Sequence, residues 1–227
     1  MLRHTLLILV ALLLSSQSAF AQETGFYLAG KTGPSIMAFA NGNWTSDAIG
    51  DVTSEYTRDS SETVLTLGAA AGYEFKQDIR AEIEYMYRTN YQHDKKPTTS
   101  GTYDVEQDLT THTVMLNVFY DFRNDSKFTP FIMAGAGLAI HESDNSVNEL
   151  LGLFVEYEGR EVTKTDFAWN VGAGVGYAIN EHLTADVLLR YIDMGKARWE
   201  NVAPIDEAHS VANMTATEVT FGLRYKF

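Results

Sequence analysis

Eight stretches of this chain place apolar side chains at every second position and gather their ionisable residues on the other face. The closing eleven residues, TEVTFGLRYKF, show the pattern. Val219, Phe221, Leu223, Tyr225 and Phe227 share one face of an extended strand, and Glu218, Thr220, Gly222, Arg224 and Lys226 share the other, because strand side chains alternate. A soluble sandwich produces the same alternation in a half-buried strand. The rest of the chain has to separate the two cases.

The alternation places strands at 25–39, 63–75, 79–91, 107–122, 129–141, 164–179, 183–194 and 214–227. Their links are alternately short (KQD, RNDSKF, NEH) and long, the long ones beginning near Ala40, Gln92, Glu142 and Gly195. Short turns at one end, long loops at the other and an even strand number describe an all-β fold, an eight-stranded antiparallel up-and-down transmembrane barrel with both termini on the short-turn side. No linker composition interrupts it, so a single barrel domain is expected over 22–227. Residues 1–21 read as a signal peptide: Arg3 supplies the positive start, LLILVALLL is shorter than a membrane span, and Ala19 and Ala21 are the small residues of a cleavage site. Cysteine is absent, which excludes disulfides, a thiol nucleophile and lipid attachment at such a site.

The faces differ as lipid on one side and a narrow interior on the other require. Outward lie Leu67, Ala69, Ala71, Tyr73 and Phe75 on the second strand, Ile79 to Tyr87 at alternate positions on the third, and Val114, Leu116, Val118, Tyr120 and Phe122 on the fourth. Aromatic residues cluster toward strand ends, as interfacial girdles do. Inward lie Lys31, Arg80, Arg88, Arg190, Arg224 and Lys226 together with Glu74, Glu82, Glu84, Asp121, Asp186 and Glu218. Six charges of each sign suit a small interior, where an unpaired ion costs several kcal/mol. Inner glycines (Gly68, Gly72, Gly135, Gly137, Gly172, Gly174, Gly176) leave room either for a water path or for long Arg and Glu side chains; the narrow bore of eight strands favours the second.

GFYLAGKTGPS, PFIMAGAGLA, VGAGVGYAINEHLTADVLLRYIDMG and TEVTFGLRYKF together resemble the small outer-membrane β-barrel proteins of the opacity-protein and porin-family group. The resemblance covers all of 22–227 except the loops. It implies a barrel in a Gram-negative outer membrane, with variable loops serving adhesion or host contact. It also implies that Phe221, Tyr225 and Phe227 match the closing signal read by the barrel-assembly machinery. Pro34 departs from the pattern, standing outward where an aromatic is usual.

Chemistry is sparse. No catalytic, cofactor-binding or metal-binding residue is assigned. His112 reads outward between Thr111 and Thr113 without a serine two positions away, and His93, His141 and His209 fall in or beside loops, scattered in sequence. ESDNSVNE offers oxygen ligands but lacks the glycine and spacing of a calcium loop. With 17 basic against 30 acidic residues the chain is a poor partner for nucleic acid. Acidic stretches, residues 40–62 at net −4 and 142–163 at net −5, put the charge in the loops; this suits contact with a basic host or matrix surface, with the divalent cations bridging lipopolysaccharide, or only solubility during transit, and the sequence leaves all three open. Within the second stretch, LLGLFVEYEG alternates again and suggests a hairpin above the bilayer. Three functions remain open: a structural or surface-interaction barrel, a narrow pore, and a membrane-embedded lipid-modifying enzyme.

Overall fold

A computed structural model describes residues 24–46, 52–56, 60–75, 78–92, 103–150, 162–203 and 206–227. The expected cleavage residues Ala19 and Ala21, His93 and the LLGLFVEYEG segment beyond Leu150 lie outside these residues.

The described chain is all strand: β1 (Gly25–Ser46), β2 (Val52–Tyr56), β3 (Ser60–Glu74), β4 (Ile79–Gln92), β5 (Tyr103–Asp121), β6 (Phe128–Leu150), β7 (Val162–Ala178), β8 (Leu183–Ala203) and β9 (Asp206–Lys226). Eight of them close a ring in the order β1-β3-β4-β5-β6-β7-β8-β9, with β9 returning to β1 and every pair antiparallel. The ninth, β2, pairs only with the far end of β1, Gly42 to Ser46. The ring leaves no free sheet edge, so backbone groups pair strand to strand round the wall, as a lipid surrounding demands.

Tight turns join the strands at one end. Phe75 N donates to Ile79 O across a turn in which Asp78 takes φ 62°, and Asn180 Oδ1 accepts from the amides of His182 and Leu183, both at 2.9 Å. At the other end the strands run further than alternation alone indicates. β5 and β6 stay paired to Tyr103↔Leu150, β8 and β9 to Ala203↔Asp206, and β1 and β9 to Ser46↔Ala208. The expected loop starts at Ala40, Glu142 and Gly195 are therefore corrected. A crossing takes about 9–11 residues, whereas β6 has 23. The added lengths, such as ESDNSVNEL on β6 and KARWENVA on β8, keep their strand pairing without the strict apolar parity that marks the crossing segments in sequence.

Exposure is inverted relative to a soluble protein. Leu67 and Ile83 are each 61% exposed, while Glu84, Arg88 and Glu218 are at 0%. Outward apolar surface of this kind is stable only against lipid. Pro34 is outward as read, and the β1–β9 ladder lapses between Thr32 and Ser35, where proline has no N–H to give.

Candidate functional site

All twelve ionisable residues that the alternation placed inward take part in ion pairs inside the ring, at two levels of the bore. Near the turns, Glu74 holds Lys226 Nζ at 2.6 Å and Arg224 Nη1 at 2.8 Å; Arg224 Nε lies 3.3 Å from Asp186, and Arg80 Nε 2.8 Å from Asp121. Arg80 also lies flat over Phe119, 4.2 Å from the ring centre, a cation–π contact inside the wall.

Higher in the bore a single chain of alternating charge crosses the barrel. Arg88 Nε meets Glu218 Oε1 at 2.8 Å, Arg190 Nε meets Glu218 Oε2 at 2.6 Å, and Arg190 Nη1 reaches Glu84 Oε1 at 2.5 Å. Lys31 then joins Glu84, at 2.6 Å, to Glu82. Tyr27, Ser35 and Asn117 complete the carboxylates with further hydrogen bonds. Buried charges are tolerated when each is paired, and every charge in this chain is, although Arg88 Nη2 and Arg190 Nη2 have no hydrogen-bond partner in the protein.

The glycines make room for other occupants than expected. A Cβ at Gly72 would enter the Tyr27 ring and one at Gly174 the Phe131 ring, so aromatic side chains as well as ions fill the bore.

Sequence reasoning missed a layer. Met37, Val64, Met115, Ala139, Ala168, Ile192, Met194, Met214 and Ala216 pack into an apolar cluster on the hairpin side of the ionic chain. Ile192 and Met194 follow Arg190 at alternate positions on β8, and Ala216 and Met214 precede Glu218 on β9. The signal was present: all six methionines after Met1 are buried and fall on the parity of the charges. His141, expected beside a loop, instead lies in the bore at this level, its Nδ1 3.1 Å from Thr111 Oγ1 and its Nε2 3.0 Å from Met194 O.

On the outer face, His112 sits where it was read. Tyr85 Oη lies 2.7 Å from its Nδ1, and Glu142 Oε2 is 3.7 Å from its Nε2. Among the described residues no group of three His, Asp or Glu side chains is gathered in a metal-binding arrangement. Phe221 and Tyr225 face outward on β9; the Phe227 amide donates to Phe26 O at 3.1 Å, and its ring packs edge-on against Tyr225.

The sequence profile of the outer membrane protein beta-barrel domain matches residues 7–227. The chain belongs to this family. As an outer-membrane β-barrel it is 31% identical to the outer membrane protein PagN of Salmonella typhimurium over 194 residues, 80% of this chain and 79% of the relative. It is 27% identical over 142 residues to RC1281 of Rickettsia conorii, described as a candidate adhesin, spanning 61% of this chain and 57% of that one. Among solved structures, the neisserial surface protein NspA aligns over 91% of this barrel and 100% of its own chain at TM-score 0.53 and 22% identity. A major outer membrane protein of Thermus thermophilus aligns over the same shares at TM-score 0.53 and 10% identity, a likeness of fold alone. The protein is thus a β-barrel of the bacterial outer membrane.

Proposed function

We propose that this protein is a surface-interaction barrel, a scaffold in the outer membrane whose extended hairpins and acidic loops engage an external partner in the manner of an adhesin. One observation carries the reading: the chain from Arg88 to Glu82 fills the bore with the protein's own paired charges. The hairpin end is then the surface left for recognition. Kinship with a candidate adhesin supports the same reading. A pore has the paired wall against it, and the protein is read as a binding protein rather than an enzyme.

The rest of the reading follows the membrane. The hairpins face outward from the cell and both termini face the periplasm, with the chain cleaved after Ala21. Outward side chains meet lipid and lipopolysaccharide, and Phe221, Tyr225 and Phe227 present the aromatic face to the assembly machinery. The host or matrix ligand is a basic surface, complementary to the acidic loops.

The test is binding of cells expressing the protein to cultured epithelium and to matrix-coated plates, with and without residues 151–161. Loss of binding is expected while the shortened barrel keeps its heat-modifiable mobility. Unchanged binding by a folded, shortened protein overturns the reading and leaves a structural role.

A further inference from the structure

The two halves of the bore differ in their access to water. Side-chain exposure falls from 27% at Lys226 to 14% at Asp186 and 9% at Arg224, and reaches 0% at Arg88 and Glu218. Among these inner charges exposure is therefore greatest at the turn end and vanishes within the charge chain.

Where exposure falls, the wall leaves a cavity. It measures about 20 Å³ in positions open to a water's centre and is lined by Lys31, Arg80, Glu82, Asp186, Thr220 and Arg224, with Phe119 and Phe131 at one side. That is room for one or two waters, since one needs roughly 10–15 Å³. Gly222 borders the same space: a Cβ there would come no nearer than 3.5 Å to any atom, unlike those at Gly68, Gly72 or Gly174.

Six buried polar atoms have no hydrogen-bond partner among the described residues. Arg88 Nη2, Asn170 Oδ1 and Arg190 Nη2 lie off this lining; three belong to residues on it: Arg80 Nη2, Thr220 Oγ1 and Arg224 Nε, the last held only by its 3.3 Å ion pair with Asp186. All three residues are more than nine-tenths buried. A buried donor without an acceptor costs more than most single contacts contribute. The occupant must therefore accept hydrogen bonds. It need not carry charge, because Arg80 is already opposed by Asp121 and Arg224 by Glu74 and Asp186, and an added anion would face Asp186 and Glu82 on the same wall.

We propose that the turn-side half of the bore is a blind, hydrated vestibule: water entering from the turns occupies this cavity, completes Arg80, Thr220 and Arg224, and stops at the methionine layer. This goes beyond a role for the loops and stands apart from it. The layer above has the composition of a dry seal, with methionine, isoleucine, valine and alanine packed against one another.

X-ray hydroxyl-radical footprinting of the refolded, full-length barrel tests it, because radicals form from water where water is held. Phe119 and Phe131 should be hydroxylated at least tenfold faster than Met37, Met115 and Met214, although thioethers are no less reactive than phenyl rings. Gly222→Val, which fills the cavity, should reduce the phenylalanine labelling several-fold. Unlabelled phenylalanines show a dry cavity and overturn the proposal; methionines labelled as fast as the phenylalanines overturn the blind end. A crystal grown in bromide supplies the remaining arm. A water oxygen about 3 Å from Arg80 Nη2 is expected there, and an anomalous bromide peak in its place would mean an anion site instead.

Discussion

Arg190 on β8 touches Glu84 on β4 with 2.5 Å between Nη1 and Oε1, and these strands stand opposite one another, four places apart in either direction round the ring. Ladder hydrogen bonds join only neighbours. This contact joins the wall across its diameter, and Arg190 also shares Glu218 with Arg88.

Among the described residues, replacing Arg190 by Ala leaves Lys31 as the one cation on Glu84 and Arg88 as the one cation on Glu218. Breaking a buried pair from one side costs about 3–5 kcal/mol. The urea midpoint of refolded protein in detergent or vesicles should fall accordingly, and a midpoint within 0.5 kcal/mol of wild type, a roughly neutral surface value, would mean that the chain carries no net stability.

Wild type should be nearly silent in planar bilayers, because ions meet the charge chain first and the methionine layer after it. Glu82→Ala alone leaves that layer in place, so current should stay close to baseline. Adding Met115→Gly and Met214→Gly should raise it clearly. Large, steady openings in wild type would show that the bore is a path.

Leu116 faces lipid in mid-strand at 57% exposure. Leu116→Arg should cost about 2–4 kcal/mol near the bilayer midplane, read as folding yield into vesicles. The neighbouring inward Asn117 provides a control: Asn117→Ala should leave that yield much less affected.

Gly195 takes φ +74° beside the bulge between Asp193 and Lys196, and a Cβ there would press on Asp166. Asp166 in turn accepts from the Lys196 amide at 3.0 Å. Gly195→Val should therefore lower stability by about 1–3 kcal/mol, the range for a residue held in an unfavourable backbone region. Gly195→Asn should lose less. Equal midpoints for glycine and valine would remove the bulge as a structural constraint.

The parts of the fold that lipid dictates were legible. Leu67, Ile83 and Leu116 had to face hydrocarbon, and their parity carried Arg80, Glu84 and Arg190 to the inside. Which carboxylate each arginine would meet was not readable, because Arg190 and Glu84 are 106 positions apart and meet only when the ring closes. Charge drew attention to the inner face and away from Met37, Met115 and Met214, which share its parity but in isolation read as ordinary apolar residues. Beyond the bilayer the signal ends: Asp144 pairs with Asp108 as regularly as Leu138 with Val114, yet no solvent boundary imprints that pairing on side-chain type.

The cross-lumen chain has a consequence for how the barrel is made. Strands can add one by one, and Arg190 meets Glu218 across the β8–β9 ladder while Lys31 meets Glu84 one strand away. The contacts of Arg190 with Glu84 and of Arg88 with Glu218, however, join β8 and β9 to β4 and form only when the sheet has curled to bring the seam between β1 and β9 together. Until then their charges need water, so an open sheet lying flat in hydrocarbon is excluded and the curling sheet must keep its concave face wet. Closure and drying of the upper bore are therefore coupled, and shutting the seam completes the part of the chain that neighbouring strands cannot form between themselves.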